Sequence, residues 1–468
     1  MKIKLSFLGA ARNVTGSRFL LDADGVRLLV DCGFYQERQF RDRNWDPFPV
    51  PPESITAALL THAHLDHCGL LPKLVNEGFR GKIYCTSATA EIARIILLDS
   101  AHIQEEDAAY KKKRHRREGR SGPHEVRPLY TVEEADRAGR HFVPVEYGRR
   151  IELAKGVTAT FHDAGHVFGS STITVGIDRN GERRTVLFSG DVGRDDRPII
   201  EDPDPADQAD YALIESTYGD RDHEPVADVQ ETLARIVNET FQAGGNVVIP
   251  SFALERSQEL LYHLSDLRCA GKVPETRVFL DSPMAIRITR VFQDHPELFD
   301  KEMTARSRNG CPPFDFPGLR MTETVGQSKA INDVRGGAVI IAGSGMCTGG
   351  RVKHHIVNNI SEPQNTILFV GYQAQGTLGR HLLDRPREVR IHGMKRKVMA
   401  RIARIHGFSA HADRNELLAW LKTMKKPPRR VFVVHGETDT ADAFRDFLTG
   451  RTGWNVVVPD YQDTVELD

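Results

Sequence analysis

The sequence predicts an α/β protein in which a strand-rich domain is interrupted by an α/β insertion and then resumes. Residues 1–210 consist mostly of short apolar runs separated by turn residues, which is typical of strands. From residue 211 strands and helices alternate, as in the βαβ units of a parallel sheet. Strand-like runs predominate again after that. We therefore expect a first part over 1–210, an insertion over 211–370 and a C-terminal return over 371–468.

The individual elements follow from these patterns. In the first part the predicted strands are Lys2–Leu8, Arg18–Leu21, Val26–Asp31, Ile55–Thr61, Lys82–Cys85, Val157–His162, Ser171–Ile177 and Thr185–Ser189, and the predicted helices are Asp66–Glu77, Ala88–Gln104 and Thr131–Ala138. In the insertion the predicted strands are Tyr211–Ser216, Asn246–Pro250, Arg277–Asp281 and Gly337–Ala342, and the predicted helices are Ala227–Ala243, Leu254–Ala270 and Pro283–Phe292. From about Thr366 onward the predicted strands are Ile367–Val370, at the end of the insertion, and Glu388–His392, Val398–Ile405, Val431–His435 and Val456–Pro459 in the return.

Composition limits the class of protein. The 468 residues are enough for two or three domains, and 40% hydrophobic with 27% charged residues is ordinary for a globular protein. The net charge of -1 gives no global attraction for a polyanion. Six cysteines without a C-x-x-C pair argue against a disulfide framework and for a reducing cytoplasm. We find no signal peptide and no apolar stretch that could span a membrane, so we expect a cytoplasmic protein.

The segment His62-Ala63-His64-Leu65-Asp66-His67 concentrates four metal-ligand side chains directly after a predicted strand. In an extended chain His62 and His64 point to the same side, because side-chain direction repeats every two residues. Asp66 and His67 fall where the next helix begins. Imidazole and carboxylate together suit zinc, iron or manganese, and zinc is the commonest choice in hydrolases. The segment therefore predicts ligands for one metal and for a neighbouring second metal.

Three later strand ends supply further ligands. His166 and Asp191 each follow a predicted strand, and His411 lies just past another one. Gly190 precedes Asp191 and leaves room for a close approach. With the first segment, these residues provide five imidazoles and two carboxylates, which suit two metals with one carboxylate between them.

The order H-x-H-x-D-H, then His166, then Asp191, on a strand-rich scaffold, resembles the metallo-β-lactamase superfamily. Asp31 resembles its first motif. The insertion resembles that of the β-CASP nucleases, with Glu215, His381 and His411 at the positions of motifs A, B and C. The chain also resembles bacterial ribonucleases that are related to the nuclease subunit of the mRNA 3′-end cleavage and polyadenylation factor. The resemblance implies an αββα four-layer sandwich with an inserted α/β β-CASP domain.

The resemblance also implies roles for these residues. One zinc would take His62, His64 and His166, a second zinc would take Asp66, His67 and His411, and Asp191 would bridge them. A hydroxide between the two zinc ions would attack a phosphodiester of single-stranded RNA, with Asp66 as part of the catalytic centre. His381 is the candidate general acid for the leaving 3′ oxygen, and Glu215 would hydrogen-bond it or anchor a metal-bound histidine.

Substrate contacts have weaker signals. The glycine-rich loop that carries Ser344, Thr348 and Arg351 follows a predicted strand and could present backbone N–H groups and a guanidinium to phosphate. The alternative is a tight βα turn. His435 is a candidate substrate-binding or supporting group. The segment Lys111–Arg120 holds seven Lys or Arg residues and is either a solvated helix end or loop, or a contact to phosphates.

Three functions remain in view at this stage. A zinc-dependent ribonuclease is favoured over a DNA-directed nuclease, since His411 stands where DNA-processing relatives tend to carry an apolar residue. Another hydrolase on the same scaffold, such as a thioesterase or lactamase, has no need of a long insertion. A non-catalytic RNA-binding protein is disfavoured, because every ligand position is filled. The sequence leaves a monomer and a homodimer equally open.

Overall fold

The structure is a computed structural model that describes residues 2–119, 125–179, 181–223 and 229–468. The chain divides into two compact units. Unit 1 comprises Met1–Asp196, Asp202–Asp222 and Ala410–Asp468, and unit 2 comprises Arg197–Glu201 and His223–Ser409. Two predicted features reach outside the described residues: the last residue of the basic segment over 111–120, and the first two residues of the helix predicted over 227–243.

Unit 1 contains two seven-stranded sheets. The first sheet has the order β22-β1-β2-β3-β4-β5-β6 and is formed by β1 (Ile3–Phe7), β2 (Phe19–Ala23), β3 (Val26–Val30), β4 (Ala57–Leu59), β5 (Lys82–Thr86), β6 (Phe142–Val145) and β22 (Thr464–Leu467). The second sheet has the order β21-β20-β11-β10-β9-β8-β7 and is formed by β7 (Ile151–Ala154), β8 (Val157–Asp163), β9 (Ser171–Arg179), β10 (Glu182–Phe188), β11 (Tyr211–Glu215), β20 (Arg430–Val434) and β21 (Val456–Val457).

The two sheets of unit 1 pack face to face. Alternate side chains of β1 are buried, and they join residues such as Phe161, Phe188 and Phe432 of the second sheet in one apolar core. Burial of this continuous apolar layer from both sheets is the main stabilisation of the sandwich.

Helices cover the outer faces of both sheets. They are α1 (Leu65–Cys68), α2 (Leu71–Asn76), α3 (Ser87–Glu118) and α4 (Val132–Gly139) beside the first sheet, and α12 (Arg414–Leu421) and α13 (Thr438–Thr452) on the second. Trp420 and Phe444 pack there into a second apolar core. The result is the expected αββα four-layer sandwich. None of the helices in the described parts of the chain is long and apolar enough to cross a membrane.

Unit 2 is built on a six-stranded parallel sheet of order β14-β13-β15-β12-β16-β19. Its strands are β12 (Val247–Pro250), β13 (Arg277–Asp281), β14 (Leu319–Met321), β15 (Ala338–Ala342), β16 (Thr366–Phe369) and β19 (Arg401–Arg404), and a separate antiparallel hairpin pairs β17 (Glu388–Ile391) with β18 (Met394–Lys397). Its helices are α5 (Val229–Gln242), α6 (Arg256–Cys269), α7 (Pro283–Asp294), α8 (Lys301–Arg308), α9 (Val325–Ala330), α10 (Val352–Asn359) and α11 (Leu378–Leu383).

The division into units differs from the expected boundaries at 211 and 370. Strand β11 lies in the second sheet of unit 1, between β10 and β20, because its backbone pairs in parallel with both. Strands β16 and β19 pair into the parallel sheet of unit 2, so the chain returns to unit 1 only at Ala410. Both boundaries depend on how distant segments pair as strands. The local sequence pattern gives no information about this pairing.

Two smaller features differ from the expectations. The helix predicted over Asp66–Glu77 is two short helices, α1 and α2, separated at Gly69 and Leu70. A Cβ atom on Gly69 would lie 2.6 Å from Cβ of Phe34, so the chain needs glycine at this break. The cysteine pattern argued against a disulfide framework and for a reducing cytoplasm, whereas Cys269 and Cys311 are joined by a disulfide within unit 2.

Candidate metal centre

Four residues of unit 1 converge into a first group of metal-ligand atoms. His62 and His64 follow β4, His166 follows β8, and Asp191 follows β10. Nε2 of His62 lies 3.0 Å from Nδ1 of His64, and Nε2 of both His62 and His166 lies 3.5 Å from Oδ2 of Asp191. All four ligand atoms lie within 4.8 Å of one another, which is the spacing of a single coordination sphere.

A second group lies on the other side of the Asp191 carboxylate. Nε2 of His67 is 3.3 Å from Oδ1 of Asp191 and 3.2 Å from Nε2 of His435. That nitrogen of His435 lies 3.5 Å from Oδ2 of Asp66. Asp66, His67 and His435 therefore form a second set of ligand atoms, and the two oxygens of Asp191 face the two groups separately.

The donor set fits two divalent cations. Burial lowers the pKa of His62 well below its ordinary value and that of His64 to about 4, so both imidazoles are neutral, as metal ligation requires. Oδ1 of the buried Asp191 accepts no hydrogen bond within the described residues. Burial opposes ionisation of Asp191, but His435 and His67 hold its pKa well below the usual range. A buried carboxylate surrounded by imidazole nitrogens is stabilised by cations. The donor set is therefore compatible with a site for two metal ions.

The same electrostatics appear at the second group. Burial works to raise the pKa of Asp66, but the hydrogen bond from His435 and the nearby imidazoles lower it to about 2. Burial disfavours protonation of His67, yet Asp191 and Asp31 raise its pKa well above the ordinary value. The local excess of carboxylate charge therefore attracts a positive charge to this position, which a metal ion would supply in place of the proton.

A layer of hydrogen bonds orients the histidines. Nδ1 of His67 lies 2.7 Å from Oδ2 of Asp31, and Asp31 also accepts from the backbone N–H of Thr61 at 2.8 Å. The Thr61 hydroxyl lies 3.1 Å from Nδ1 of His62, and the Thr217 hydroxyl lies 3.1 Å from Nδ1 of His435. Because one ring nitrogen of each histidine is engaged in this way, the other is directed to the ligand group.

Glycine permits the close approach of the ligand loops. Gly190 has φ +53, and a Cβ atom there would lie 2.8 Å from Cβ of Thr61. A Cβ atom on Gly193 would lie 1.7 Å from the carbonyl oxygen of Gly165. Any side chain at these two positions would separate the loops that carry Asp191, Thr61 and His166.

Glu215 and His411 form a buried pair beside the first group. Glu215 ends β11 and is fully buried, and Nδ1 of His411 lies 3.0 Å from Oε1 and 3.1 Å from Oε2 of its carboxylate. The His411 ring lies 4.5 Å from that of His166, measured between centroids. Burial would lower the pKa of His411, but the Glu215 charge and hydrogen bond raise it to about 9. The Glu215 carboxylate therefore favours the protonated form of this imidazole.

Two predicted site residues have other neighbours than expected. His435, expected as a substrate-binding or supporting group, lies against Asp66 and His67, the position expected for His411. The Glu215 carboxylate pairs with His411, and His381 is exposed on α11 of unit 2. One local feature marks His435: it directly follows the buried strand β20, and His62 and Asp191 lie within a few residues of their strand ends.

The predicted phosphate loop of unit 2 is occupied by its own contacts. The Arg351 guanidinium donates to Oδ1 of the buried Asp281 at 2.7 Å and to the carbonyl oxygens of Thr322 and Glu323. The Ser344 hydroxyl bonds within the loop, 3.2 Å from the backbone N–H of Gly349. Its hydroxyl also lies 3.3 Å from that of Thr348, which is exposed. These contacts favour the tight-turn interpretation, and Arg351 serves as an internal brace.

Comparison with known proteins is consistent with this geometry. Residues 20–187 match the metallo-β-lactamase superfamily domain, 257–382 match the β-CASP domain, and 395–459 match the Zn-dependent metallo-hydrolase RNA specificity domain. The fold and the histidine–aspartate cluster thus define a metallohydrolase of the metallo-β-lactamase superfamily. Within it, the chain belongs to the β-CASP ribonuclease family, as its similarity to individual proteins shows.

Three relatives illustrate that similarity. The chain is 40% identical to Ribonuclease TTHA0252 of Thermus thermophilus over 95% of each chain. It is 30% identical to the transcription termination factor FttA of Methanocaldococcus jannaschii, over 96% of this chain and 70% of that protein. It is 31% identical to FttA of Methanosarcina mazei, over 93% and 67%. A crystal structure of a protein of unknown function from Enterococcus faecalis shares the fold, with a TM-score of 0.56 at 11% identity and full coverage of both chains.

Proposed function

We propose that this protein is a zinc-dependent ribonuclease that hydrolyses phosphodiester bonds of single-stranded RNA, with water as the nucleophile and His411 as the general acid. The single observation that carries the proposal is the buried Glu215–His411 pair, which lies beside two groups of ligand atoms that share Asp191. RNA is the proposed substrate because the relative at 40% identity is named a ribonuclease and the matched C-terminal family model is described as an RNA specificity domain.

Each residue has a defined part in this proposal. His62, His64, His166 and Asp191 would hold one zinc ion, and Asp66, His67, His435 and Asp191 would hold the other. When bound, two such ions lower the pKa of water and offset charge on the phosphoryl oxygens. Asp31, Thr61 and Thr217 hold the ligand imidazoles in one tautomer and orientation.

The leaving 3′ oxygen needs a proton, and the imidazole of His411 is the proposed donor. Its Nδ1 is fixed against Glu215, so the proton for the 3′ oxygen would come from Nε2. Both Glu215 oxygens also accept backbone N–H groups, from Val192 at 2.9 Å and from Thr217 at 3.3 Å. The carboxylate is therefore held in place while it stabilises the protonated imidazole.

A digestion experiment with paired variants tests the proposal. End-labelled single-stranded RNA is incubated with zinc-loaded wild-type protein, His411→Ala and His381→Ala, with an end-labelled DNA of the same sequence in parallel. We expect wild-type protein to cleave RNA in preference to DNA, and His411→Ala to lose roughly 10²–10⁴-fold in rate, the usual contribution of a general acid. His381→Ala should lose far less. Wild-type rates in His411→Ala, with loss in His381→Ala, would restore the assignment of His381 as the acid.

A further inference from the structure

The β17–β18 hairpin of unit 2 presents a strongly basic surface. Residues 385–397 contain six Arg or Lys residues and one acid, Glu388, although the whole chain carries a net charge of -1. One face of the hairpin is apolar, since Val389 and Ile391 are buried against α10 in the core of unit 2. The opposite face carries Arg390, Lys395 and Lys397, all exposed. The charge is therefore concentrated on the side that faces solvent.

The cations on this outer face are poorly neutralised within the protein. Glu388 lies 3.8 Å from Nζ of Lys395, and both side chains are at least half exposed, so this pair is weak. Glu388 is also the register partner of Lys397, so this one carboxylate stands on the outer face with three cations, Arg390, Lys395 and Lys397. The face thus keeps a net positive charge that only an external anion can offset.

Strand register places two of these cations directly opposite each other. Arg390 pairs with Lys395 across the hairpin, so their side chains leave the same face at neighbouring positions. Like charges opposite each other destabilise a sheet, and a hairpin selected for stability alone would carry opposite charges here. The arrangement is explained if an anionic ligand binds between or along these side chains.

The hairpin turn adds an exposed aromatic surface. His392 occupies the turn with φ +49, followed by Gly393 with φ +79, the conformation of a two-residue hairpin turn that favours asparagine and glycine. The imidazole of His392 stacks on that of His354 from α10, with centroids 4.7 Å apart and planes inclined by 24°. Both residues are exposed, so the stacked pair offers a flat face at the turn end of the hairpin, on its α10 side.

We propose that the outer face of the β17–β18 hairpin, with the His354–His392 pair, binds a stretch of single-stranded RNA. Cations along a strand together with an aromatic face are what single-stranded nucleic acid binds: phosphates contact the cations and a base stacks on the ring. A membrane surface would need apolar side chains for insertion, and here the exposed Met394 and Met399 stand apart from any continuous apolar patch. The choice of RNA over another polyanion rests on the proposed function, whereas the anion-binding face itself rests on the hairpin.

Binding measurements with a charge-neutralised hairpin test this inference. Fluorescence anisotropy follows binding of a short labelled single-stranded RNA to the full-length protein at several salt concentrations, and a gel verifies that the RNA stays intact. We expect the double variant Arg390→Gln/Lys395→Gln to bind on the order of tenfold more weakly. The slope of log affinity against log salt should fall by about 1.4, because each phosphate contact to a single strand contributes about 0.7. Thermal stability should be unchanged or higher, since a like-charge pair is removed.

The matched control is Lys301→Gln/Lys329→Gln, which removes two exposed cations elsewhere in unit 2. Equal weakening in the control and the hairpin variant would overturn the inference, as would wild-type affinity and slope in the hairpin variant. Hairpin-dependent binding to vesicles of anionic phospholipid, without such binding to RNA, would also overturn it. The readout is binding, so a chain that binds RNA through the hairpin and cleaves none would refute the proposed function and leave this inference standing.

The turn residue provides a second variant. His392→Asn keeps a residue that tolerates the turn conformation and removes the stacking ring. With RNA that carries 2-aminopurine, we expect the fluorescence quenching seen on binding to wild-type protein to diminish in this variant. Undiminished quenching would show that the His354–His392 pair does not contact a base.

Discussion

At the residue scale, the positions of two histidines define the centre: His435 lies beside Asp66 and His67, and His411 lies beside Glu215. Both His411 and His435 follow strands, so position after a strand could not tell which of them reaches Asp66. The parallel pairing of β20 with β11 decides this, together with φ +53 at His435. Neither this strand pairing nor the positive φ at His435 can be predicted from the local sequence. In contrast, His62, His64 and Asp191 were predictable because each follows its strand within a few residues.

Glu215 provides a prediction at the same scale. Replacing Glu215 with Gln removes the charge that stabilises protonated His411 while leaving a side chain of the same shape. We expect RNA cleavage to fall about 10²-fold or more with zinc content unchanged, since Asp191, His67 and His435 stay in place. Steady-state cleavage rates and zinc analysis of the same samples test this. Full activity in a zinc-replete Glu215→Gln protein would exclude the pair as the proton source.

At the element scale, the basic segment that the sequence left open is the end of a helix. Helix α3 continues from Ser87 to Glu118, and Lys111, Lys112 and Lys113 are exposed on it. From the sequence we predicted this helix only over Ala88–Gln104, and the structure extends it to Glu118. Its charge is available to phosphate, so the predicted RNA contact stands as a prediction.

Charge removal on α3 tests that contact. We expect Lys111→Gln/Lys112→Gln/Lys113→Gln to weaken binding of single-stranded RNA and to lower the salt slope by up to about 2, at about 0.7 per contact. The comparison protein is Lys301→Gln/Lys329→Gln. If the variant binds RNA with wild-type affinity at every salt concentration, this end of α3 does not contact RNA.

Strand β8 carries a pH-dependent contribution to stability. Nε2 of His162 lies 2.9 Å from Oδ2 of Asp207, and the neighbouring carboxylates of Asp204 and Asp207 raise the pKa of His162 to about 9. Because the pKa of His162 is higher in the folded protein, its contribution to the unfolding free energy is fully present below about pH 6.5, the pKa in the unfolded chain. It is lost as the pH rises through about 9.

The direction of this pH dependence determines the expected effect of His162→Gln. The variant should lose on the order of 1 kcal/mol of unfolding free energy at pH 6, a value discounted for partial exposure of the pair, and almost none at pH 10. Chemical denaturation at the two pH values measures the difference. An equal loss at both would assign the effect to packing and not to charge.

At the scale of the whole molecule, the sequence predicted the architecture better than its boundaries. Alternating strands and helices correctly indicated a parallel sheet within a strand-rich chain, and the order of metal ligands indicated the αββα sandwich. The boundaries depend on pairings such as β11 with β20 and β16 with β19, which join distant segments. The single disulfide was not predicted for a similar reason, because Cys269 and Cys311 are 42 residues apart in the sequence.

The disulfide gives a prediction for unit 2. Its two cysteines are 42 residues apart, and closing a loop of that length stabilises a fold by about 3–4 kcal/mol in the chain-entropy account. We expect Cys269→Ser/Cys311→Ser to unfold at a correspondingly lower denaturant concentration than oxidised wild-type protein, and to match reduced wild-type protein. A variant as stable as the oxidised protein would show that the bond contributes nothing to folding.

The most direct test of the two-metal assignment is the zinc content of His435→Ala and His411→Ala, measured by mass spectrometry on protein loaded with zinc and freed of excess. The structure places His435 among the ligand atoms of the second group and His411 against Glu215. We therefore predict that His411→Ala retains two zinc ions per chain, whereas His435→Ala retains one. Two ions in His435→Ala and one in His411→Ala would contradict the assignment.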